Sequence, residues 1–418
     1  MPVAKRLRRI TRRTDTPAAA RPRATLRSVL QLVWRERHIS RAEIARRLLL
    51  SRSTVSELID QLLTTGLVAE VGVGESKGGR RPIVLQFEDD AWGIVGVDIG
   101  AAHVSVAVTN LRGRVLEWEH QLHPVRDDPA GTLALVRSMT DASVRRWGKG
   151  RERLLGAGMS VPSPVDPRHP DRLSDLVLPA WRGIDVRRPL REEWGLPVQV
   201  DNDANLGALA ERWWGAGRDV DDFVYIKYAT GLGAGHIIGG RIYRGATGTA
   251  GEIGHIAMDP NGPPCICGLR GCLVTLIGAH ALAAKVRALL PTHPDSMLAR
   301  GEIDLAAIED AALAGDALAL GVVREAAGHL GVAVAGMLNV LNPALVVIGG
   351  GFVRLGDLLL DPLRETVRHR TLVTSLAASQ IVTSALGAQA TAMGAATLVL
   401  QRALSDVRNF PAAVARRS

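Results

Sequence analysis

GEIGHIAMDPNGPPCICGLRGC, residues 251–272, contains all three cysteines of a 418-residue chain. Cys265, Cys267 and Cys272 lie within eight consecutive residues with the spacing C-x-C-x4-C, and His255 precedes them. Three thiolates and one imidazole are the donor set of a tetrahedral zinc site. The glycines and prolines of the stretch allow the sharp turns by which four donors can converge. The pattern therefore predicts a structural zinc site in which these four side chains are the ligands.

Two other interpretations of the stretch remain open. The cysteines could be ordinary cytosolic thiols, with His255 a core histidine whose hydrogen bonds are satisfied. A disulfide is disfavoured because an odd number of cysteines leaves one thiol over and because the sequence shows no secretion signal. Glu252 lies three residues before His255 and is a further candidate for function.

The composition is that of a large globular protein. With 47% hydrophobic and 22% charged residues, the chain can bury a large core and should form two or three domains. No window approaches about eighteen uninterrupted apolar residues, and the basic N-terminus lacks the apolar run of a signal peptide. We therefore expect a cytoplasmic protein that has no membrane partner.

Positive charge is concentrated at the N-terminus. The chain has a formal net charge of +9; residues 1–90 hold 18 Lys and Arg against 10 Asp and Glu, and the remainder holds 33 against 32. A basic N-terminal module on a nearly neutral body indicates that an anionic polymer binds that module. Residues 1–20 are predicted to be a disordered arm, which could follow a DNA backbone or minor groove or remain a free tail.

Three helices are predicted after this arm. The first covers residues 25–33, the second begins at Ser40 and continues to about residue 48, and the third begins at Ser51 and ends before Gly66. Ser40 and Glu43 have the spacing of a capping box, in which each side chain satisfies a backbone donor of the other. Two short helices joined by a tight turn match a helix-turn-helix, whose second helix enters the major groove.

The two strands predicted after the helices complete a winged helix. They cover residues 67–70 and 83–87, and GVGESKGGRRP joins them as a wing. A three-helix bundle with an ordinary hairpin would explain the pattern but not the charge. We therefore predict a winged helix-turn-helix DNA-binding domain over residues 21–90. The predicted DNA contacts are Ser51, Arg52, Ser53, Thr54 and Ser56 in the helix and Arg80 and Arg81 in the wing.

The body, residues 91–405, alternates strands and helices in two successive sets. Strands are predicted over residues 93–99, 104–110, 114–120, 154–161, 197–201, 223–229, 344–350 and near 380. Helices are predicted up to residue 147, over 204–214 and through most of 275–340. This alternation predicts two α/β lobes with a ligand cleft at the strand ends. Residues 406–418 are expected to form a flexible tail.

Three glycine-containing turns are predicted to follow strands of the body: residues 98–100, the TGLGAG segment at 230–235, and residues 349–351. Each alone is consistent with an ordinary tight turn. Together they indicate a nucleotide cleft, or the remains of one. The candidate phosphate-binding residues are Asp98, Gly100, Gly231, Gly233, Gly349 and Gly350.

DNDAN, residues 201–205, is a second chemical cluster at a junction between a strand and a helix. A carboxylate fixed at a strand end can accept a proton from a hydroxyl group while a neighbouring amide holds another oxygen. Helix capping is the alternative, since Asp and Asn are preferred at helix N-termini. Capping requires one residue, whereas four of these five are Asp or Asn.

From about residue 26 to residue 400 the chain resembles the ROK family of sugar kinases and transcriptional repressors, in the form with an N-terminal winged helix. The carriers are the helix-turn-helix with GGRRP, DIG at 98–100, VPSPVD at 161–166, LPAW at 178–181, DNDAN, TGLGAG, GEIGH, CICGLRGC and VVIGGG. The ordered series is very specific, although its single members are not.

The resemblance implies an actin-like fold of two lobes, of the sugar kinase and Hsp70-type ATPase class. It implies that sugar hydroxyls are held by Asn202, Asp203, Glu252 and His255, and that Asp203 is the catalytic base in members that phosphorylate sugars. The His255 ring would then serve both the sugar and the zinc. The metal would be structural and would shape the sugar pocket.

Three departures from the family pattern bear on activity. Family kinases carry Asp-x-Gly-Gly-Thr-Lys at the first phosphate loop, where residues 101–103 of this chain are Ala-Ala-His. Losing these phosphate contacts could slow phosphoryl transfer by several orders of magnitude, so ATP and Mg²⁺ are not expected as cofactors. Val274 replaces a glutamate that contacts the sugar, and Ser163 replaces a loop glycine near the pocket. Both changes alter the polar contacts that discriminate among sugars.

We therefore expect a transcriptional regulator, in particular a repressor of carbohydrate genes, that responds to a sugar or sugar derivative. It would bind an operator in double-stranded DNA as a homodimer or a dimer of dimers. One alternative is an ATP-dependent sugar kinase with an accessory DNA-binding domain. Another is a DNA-binding protein whose body only oligomerises or docks a protein partner.

Overall fold

The computed structural model describes residues 20–73, 83–174, 176–371 and 379–411, with side chains from residue 25 onward. The chain divides into two compact units, one formed by Met1–Asp89 with Gln401–Ser418 and the other by Asp90–Leu400. The predicted arm lies outside the described residues up to residue 19, as do the wing residues Arg80 and Arg81.

In its described residues, the first unit has three α-helices and a small antiparallel sheet in the order β1-β3-β2. Its elements are α1 (Ala20–Arg35), β1 (His38–Ser40), α2 (Arg41–Leu48), α3 (Arg52–Thr64), β2 (Val68–Val73) and β3 (Ile83–Phe87). The three predicted helices and two predicted strands are therefore present. Strand β1, which pairs with β3, was not predicted, because three residues are too few to show a period.

Hydroxyl groups begin the second and third helices, as their sequences predict. Ser40 Oγ accepts a hydrogen bond from Glu43 N at 3.2 Å, and Ser51 Oγ accepts one from Thr54 N at 3.1 Å. The reciprocal half of the capping box does not form, because the Glu43 carboxylate accepts hydrogen bonds from Arg46 and Arg47 instead. The inner faces of α2 and α3 bury Ile44, Val55, Leu58, Ile59 and Leu62.

The C-terminal segment continues the ordered chain beyond the predicted boundary at residue 405. Asp406 caps a short 3-10 helix over Val407–Asn409, and the ring of Phe410 is buried. Gln31 Nε2 of α1 donates a hydrogen bond to Leu404 O at 3.3 Å. Part of the segment predicted as a flexible tail therefore packs within the first unit, because it supplies an apolar side chain and a helix cap.

The first lobe of the second unit is a five-stranded sheet in the order β6-β5-β4-β7-β8. Its elements are β4 (Gly93–Ile99), β5 (His103–Asn110), β6 (Val115–Leu122), α4 (Pro129–Trp147), β7 (Leu154–Val161), α5 (Arg188–Trp194) and β8 (Val198–Asn202). Strands β4, β7 and β8 are parallel, and β4, β5 and β6 are antiparallel. The central strands β4 and β7 are buried along their whole length, as their continuous apolar sequences require.

The second lobe repeats this topology in a sheet of order β11-β10-β9-β12-β13. Its elements are α6 (Asp203–Trp214), β9 (Phe223–Tyr228), β10 (Leu232–Ile238), β11 (Arg241–Tyr243), α7 (Leu273–Ile277), α8 (Ala279–Leu289), α9 (Leu305–Leu313), α10 (Ala317–Leu341), β12 (Leu345–Gly350), α11 (Asp357–Arg368), β13 (Gln380–Thr383) and α12 (Ala390–Ala403). Again the central strand pairs antiparallel on one side and parallel on the other. Two lobes of equal topology are the two-lobed α/β fold that the sequence predicts.

TGLGAG is not a single turn, contrary to the prediction. The turn is limited to residues 229–231, and Leu232–Ile238 form strand β10. Glycine permits this strand to lie against α6: a Cβ on Gly233 would be 3.3 Å from Ala204 Cβ, and one on Gly235 would be 2.3 Å from Ala204 O. Gly233 is therefore a packing residue of a strand, and the glycine-rich segment shows no alternation that distinguishes a strand from a turn.

Helix α10 is the only helix in the described part of the chain that is long and apolar enough to cross a membrane by length and composition. Its apolar side chains, including Leu318, Val322, Leu330 and Leu338, are buried in the core of the second lobe. The apolar composition of α10 is therefore that of a core helix.

Candidate functional site

The cysteine-rich stretch folds so that its four predicted metal ligands converge. A 3-10 helix over Ile253–His255 positions the imidazole, and isolated bridges pair Ala257 with Cys272 and Pro264 with Arg270. His255 Nδ1 lies 3.5 Å from Cys265 Sγ, and Cys267 Sγ lies 3.5 Å from Cys272 Sγ.

The donor atoms fit a tetrahedral metal site. All four lie within 4.8 Å of one another, and zinc–sulfur bonds of ~2.3 Å place tetrahedral ligands ~3.7 Å apart. Burial, together with the neighbouring thiols, raises the pKa of Cys272 to about 12. A divalent cation among the donors would oppose this effect by favouring the thiolate.

Asn202 is both a helix cap and a link to a neighbouring loop. Its Oδ1 accepts hydrogen bonds from Ala204 N and Asn205 N at 2.9 and 3.2 Å, so the capping interpretation holds for this residue. Its Nδ2 donates to Ser163 O at 3.3 Å and to Asp203 Oδ1 at 3.1 Å. Asn202 therefore orients the Asp203 carboxylate at the beginning of α6.

Asp203 is paired with a lysine that the sequence analysis did not identify. Lys227 Nζ donates to Asp203 Oδ2 at 2.8 Å and lies 3.9 Å from Asp98 Oδ1. The side chains of Lys227 and Asp98 are only 9% and 3% exposed. Burial opposes the charge of Lys227, yet Asp203 and Asp98 raise its pKa above the usual value. A lone lysine inside the apolar strand FVYIKY was the available signal, since unpaired buried lysines are rare.

Asp98, at the end of β4, is held by two further partners. Ser160 Oγ donates to Asp98 Oδ1, and His103 Nε2 lies 3.1 Å from Asp98 Oδ2. Burial opposes ionisation of Asp98, but Lys227 and then His103 lower its pKa well below the usual range. Asp98, which was predicted to belong to a phosphate-binding loop, is therefore in contact with Ser160, His103 and Lys227 of the protein itself.

His103 also fills the space above the first glycine turn. A Cβ on Gly100 would lie 2.2 Å from His103 Cε1, so the imidazole packs directly on the backbone of Gly100. Ala101, which replaces a family glycine, is not among the residues with positive φ. The turn therefore differs from the phosphate loop that the resemblance implies. The His103 imidazole packs on it, and residue 101 does not adopt a positive φ.

The other predicted phosphate-binding glycines lie on the facing lobe. Gly231 occupies the turn after β9, with open space around it, whereas Gly349 and Gly350 end β12. A Cβ on Gly349 would lie 2.2 Å from the Tyr225 hydroxyl, and one on Gly350 would lie 2.3 Å from Tyr228 O. Close packing between β12 and β9 therefore accounts for both residues without a ligand.

Glu252 and His255 are both partly buried, and Glu252 lies close enough to Asp203 to feel its charge. Burial, and then the charge of Asp203, raise the pKa of Glu252 to about 7. Burial lowers the pKa of His255, so its ring favours the neutral form. A neutral or ionised carboxyl and a neutral imidazole can each exchange hydrogen bonds with hydroxyl groups.

The two other departures from the family pattern are structurally accounted for. Val274 packs on the apolar core of the second lobe. Ser163 is buried, where its Oγ accepts a hydrogen bond from Ser174 N at 3.0 Å and donates one to Pro164 O at 3.2 Å. Val274 therefore offers no polar contact, and Ser163 organises the loop that Asn202 also touches.

In the first unit, the residues predicted to contact DNA line the outer face and N-terminus of α3. Ser51, Arg52 and Ser53 are exposed, and Thr54 and Ser56 are partly exposed. Arg41 of α2 forms ion pairs with Asp60 of α3 at 2.9 Å and with Glu70 of β2 at 3.0 Å, and so links α3 to the sheet. The first turn of α3 thus presents a fixed polar surface.

The predicted wing contacts Arg80 and Arg81 fall outside the described residues.

Two family models match the chain. One, described as the ROK family, covers residues 94–402, and the other, described as winged helix-turn-helix DNA-binding, covers residues 23–69. Together they span both units of the structure.

Relatives and solved structures match over most of the chain. A xylose repressor from Caldicellulosiruptor bescii is 32% identical over 391 residues, which are 92% of this chain and 96% of the repressor. A glucokinase from Halalkalibacterium halodurans is 35% identical over 323 residues, 75% of this chain and 96% of the kinase. The crystal structure of a ROK family transcriptional regulator, a homologue of the E. coli MLC protein, superposes with a TM-score of 0.78 at 28% identity. That match covers 94% of this chain and 99% of the regulator.

Proposed function

The chain belongs to the ROK family and is a DNA-binding transcriptional regulator within it, and from this premise we propose that it represses carbohydrate genes in the cytoplasm until a sugar binds its cleft. The observation that carries the proposal is that one chain joins a winged helix to a ROK body. The similarity to a xylose repressor extends across both parts. The glucokinase, in contrast, matches only 75% of the chain.

The sugar would bind beside Asn202, Asp203, Glu252 and His255. These side chains offer an amide, an ionised carboxylate, a titratable carboxyl and an imidazole, which together can donate to and accept from several hydroxyl groups. A pentose or hexose is the ligand class whose dense hydroxyl pattern such a site can distinguish. Because Val274 adds no polar contact, the remaining four side chains would determine the choice of sugar.

Zinc is the metal that the site at His255, Cys265, Cys267 and Cys272 would hold. The donor set supports this, since three thiolates and an imidazole suit zinc and leave no position for a reactive water. The four ligands join the 3-10 helix that follows Glu252 to the loop that precedes α7. Bound zinc would therefore fix the backbone of Glu252 and orient the His255 ring in the pocket.

Regulation requires that the sugar favour one of two shapes of the protein. A ligand can shift such an equilibrium only by its differential affinity for the two shapes. We infer that closure of the lobes on the sugar changes operator affinity in a homodimer, since helix-turn-helix proteins commonly bind two half-sites. The effector would thus act on the arrangement of two winged helices.

Operator binding in the presence of sugars tests this proposal. A duplex selected from genomic DNA by the purified protein is titrated at fixed salt, with and without D-xylose, D-glucose or N-acetyl-D-glucosamine. We expect one sugar to weaken binding by at least ~5-fold. Arg52→Ala should weaken binding of every duplex, whereas Gln61→Ala, a matched change at the exposed far end of α3, should not. Operator affinity that is indifferent to every sugar would remove the effector from the proposal and leave a body that only oligomerises or docks a partner.

A sugar kinase is the second candidate function. The position of Asp203 at the start of α6 and the 35% identity to a glucokinase favour it. The occupied space above Gly100 and the ion pair of Asp203 with Lys227 oppose it. A coupled assay of ADP release over hexoses and N-acetylated hexosamines decides between the two. Turnover that Asp203→Asn abolishes would make the kinase the primary function.

A further inference from the structure

Three charged side chains from the two lobes of the body lie in contact with one another. Asp98 ends β4 of the first lobe, Lys227 lies in β9 of the second lobe, and Asp203 begins α6. Lys227 Nζ is 2.8 Å from Asp203 Oδ2 and 3.9 Å from Asp98 Oδ1. A single ammonium therefore lies between two carboxylates that belong to different lobes.

Because these side chains are buried, the charges of Asp98 and Asp203 depend on Lys227 for compensation. The side chains of Asp98, Lys227 and Asp203 are 3%, 9% and 14% exposed, so water does not screen their charges. Two buried carboxylates that face each other cannot both remain ionised without a compensating cation. Here the protein supplies that cation from its own chain.

The remaining contacts of Asp203 leave it suited to accept hydrogen bonds. Its Oδ1 accepts from Ala204 N at 2.8 Å and from Asn202 Nδ2, and its Oδ2 accepts from Lys227. Taking a proton from a hydroxyl group would neutralise the charge that all three donors stabilise. Accepting a hydrogen bond from that hydroxyl keeps the charge in place.

We propose that Lys227 is a built-in cation that makes this cleft a recognition site: it holds the Asp203 carboxylate oriented as an acceptor for a sugar hydroxyl, and it joins that acceptor to Asp98 of the opposite lobe. This inference rests on the proposed function and adds to it a positioning residue. It follows that the sugar binds without a nucleotide or a divalent cation. It also follows that any change in sugar affinity between pH 6 and pH 8 comes from Glu252, whose pKa is raised to about 7.

The test replaces Lys227 by methionine, which keeps the length of the side chain and removes its charge. Lys285→Met is the matched control, because Lys285 is partly exposed and pairs with Glu325 elsewhere in the same lobe. D-xylose, D-glucose and N-acetyl-D-glucosamine are titrated by calorimetry at pH 6 and pH 8 without nucleotide or magnesium. Losing an oriented ionised acceptor should weaken binding by about 10- to 100-fold in Lys227→Met. Lys285→Met should bind like the wild type.

The stability of the sugar-free protein supplies an independent measurement. In Lys227→Met the two carboxylates lose their shared cation, so one of them should take up a proton in the folded state and release it only at raised pH. The thermal midpoint of this variant should therefore fall further below that of the wild type at pH 8 than at pH 5. The titratable groups facing the cluster are Tyr225, His103, His120 and Glu252, and all four are retained in every variant.

A second variant keeps the test decisive if Lys227→Met folds poorly. Asp98→Asn combined with Lys227→Met removes one of the two like charges, and it should restore most of the stability that is lost at pH 8. The inference is overturned if Lys227→Met lowers the thermal midpoint equally at pH 5 and pH 8. It is also overturned if Lys227→Met leaves sugar affinity unchanged. If no sugar binds the wild type, sugar recognition fails together with the proposed function. The pH series still decides whether Lys227 neutralises the two carboxylates.

Discussion

His103 and Lys227 approach Asp98 from different sheets and satisfy it without any bound ligand. His103 follows the first glycine turn and folds back over Gly100, while Lys227 extends from β9 of the facing lobe. In a phosphoryl-transfer site, groups at these positions must be free to bind phosphate and to position the nucleotide. Two side chains therefore occupy the surroundings of Asp98 and Gly100, as the proposed function of a regulator requires.

The metal site gives a prediction for a single thiol. Cys267→Ser should reduce bound zinc from about one ion per chain to a trace and lower the free energy of unfolding, because three donors hold the metal less tightly than four. Ile266→Ser is the matched control, since Ile266 lies between two of the ligands and is 53% exposed. Metal content is measured by mass spectrometry on the reduced protein, and stability by thermal unfolding. Full zinc occupancy in Cys267→Ser would exclude this residue as a ligand.

Glu252 gives a prediction for pH. Its pKa in the folded protein is about 7, above the value of ~4.3 in an unfolded chain, so the folded state binds the extra proton between these values. The contribution of Glu252 to stability is therefore greatest below about pH 4.5 and decreases as pH rises to about 7. Glu252→Gln should remove this decrease, whereas Glu302→Gln, on the exposed surface, should not.

Urea unfolding at pH steps from 5 to 8 measures the effect. The stability of the wild type relative to Glu252→Gln should fall across pH 5 to 7 and level off above pH 7. A difference that stays constant over the whole range would mean that the carboxyl does not titrate there.

Helix α12 packs unusually closely on elements of both lobes. A Cβ on Gly158 of β7 would lie 1.8 Å from Ala395 O, and a Cβ on Gly394 would lie 1.8 Å from Leu206 O of α6. Such distances leave no room for a side chain, because the obstructing atoms belong to backbones. The helix thus packs on both lobes, and glycine makes both contacts possible.

Two helical glycines should respond to alanine in opposite directions. Gly394→Ala should lower the free energy of unfolding by more than ~2 kcal/mol, because backbones must separate to admit the methyl group. Gly321→Ala in α10, where no atom lies within 4 Å of the added Cβ, should raise it by roughly 0.5–1 kcal/mol. Chemical unfolding of both variants measures the two changes. Equal effects would show that helix propensity alone controls both positions.

The sequence predicted the regular elements better than the contacts between them. Strands such as β4 and β7 and helix α3 followed from apolar runs, helical periods and caps, all of which are local. Strand β10 was mistaken for a turn because its glycines serve contacts with α6 that only the folded structure reveals. The partners of Lys227 lie far from it in the chain, so no spacing rule could indicate the pair. The convergence of the four candidate metal ligands was predictable because they lie close together in sequence.

The molecule combines a repeated body with a separate DNA-binding unit. The two lobes share one strand order, and their central strands β4 and β9 carry Asp98 and Lys227 at the cleft. The chain enters the body at Asp90 and returns to the first unit at Gln401, so the body is connected to that unit at both of its ends. Any change in the body that a sugar favours therefore has two covalent routes to the DNA-binding unit.

Thermodynamic linkage relates sugar binding to operator binding, whichever of the two connections carries the change. If a sugar lowers operator affinity by a given factor, the operator must lower sugar affinity by the same factor, because both describe one closed cycle of equilibria. Operator affinity is measured by fluorescence anisotropy with and without saturating sugar. Sugar affinity is measured by calorimetry on free and operator-bound protein at the same salt concentration. Factors of about 5 to 150 are typical of such coupling, and the two should agree. Asp203→Asn, with its sugar site weakened, should bind the operator normally but lose the response to sugar. The sugar could lower operator affinity while the operator leaves sugar affinity unchanged. That result would show that the loss of operator affinity does not come from the measured sugar-binding equilibrium.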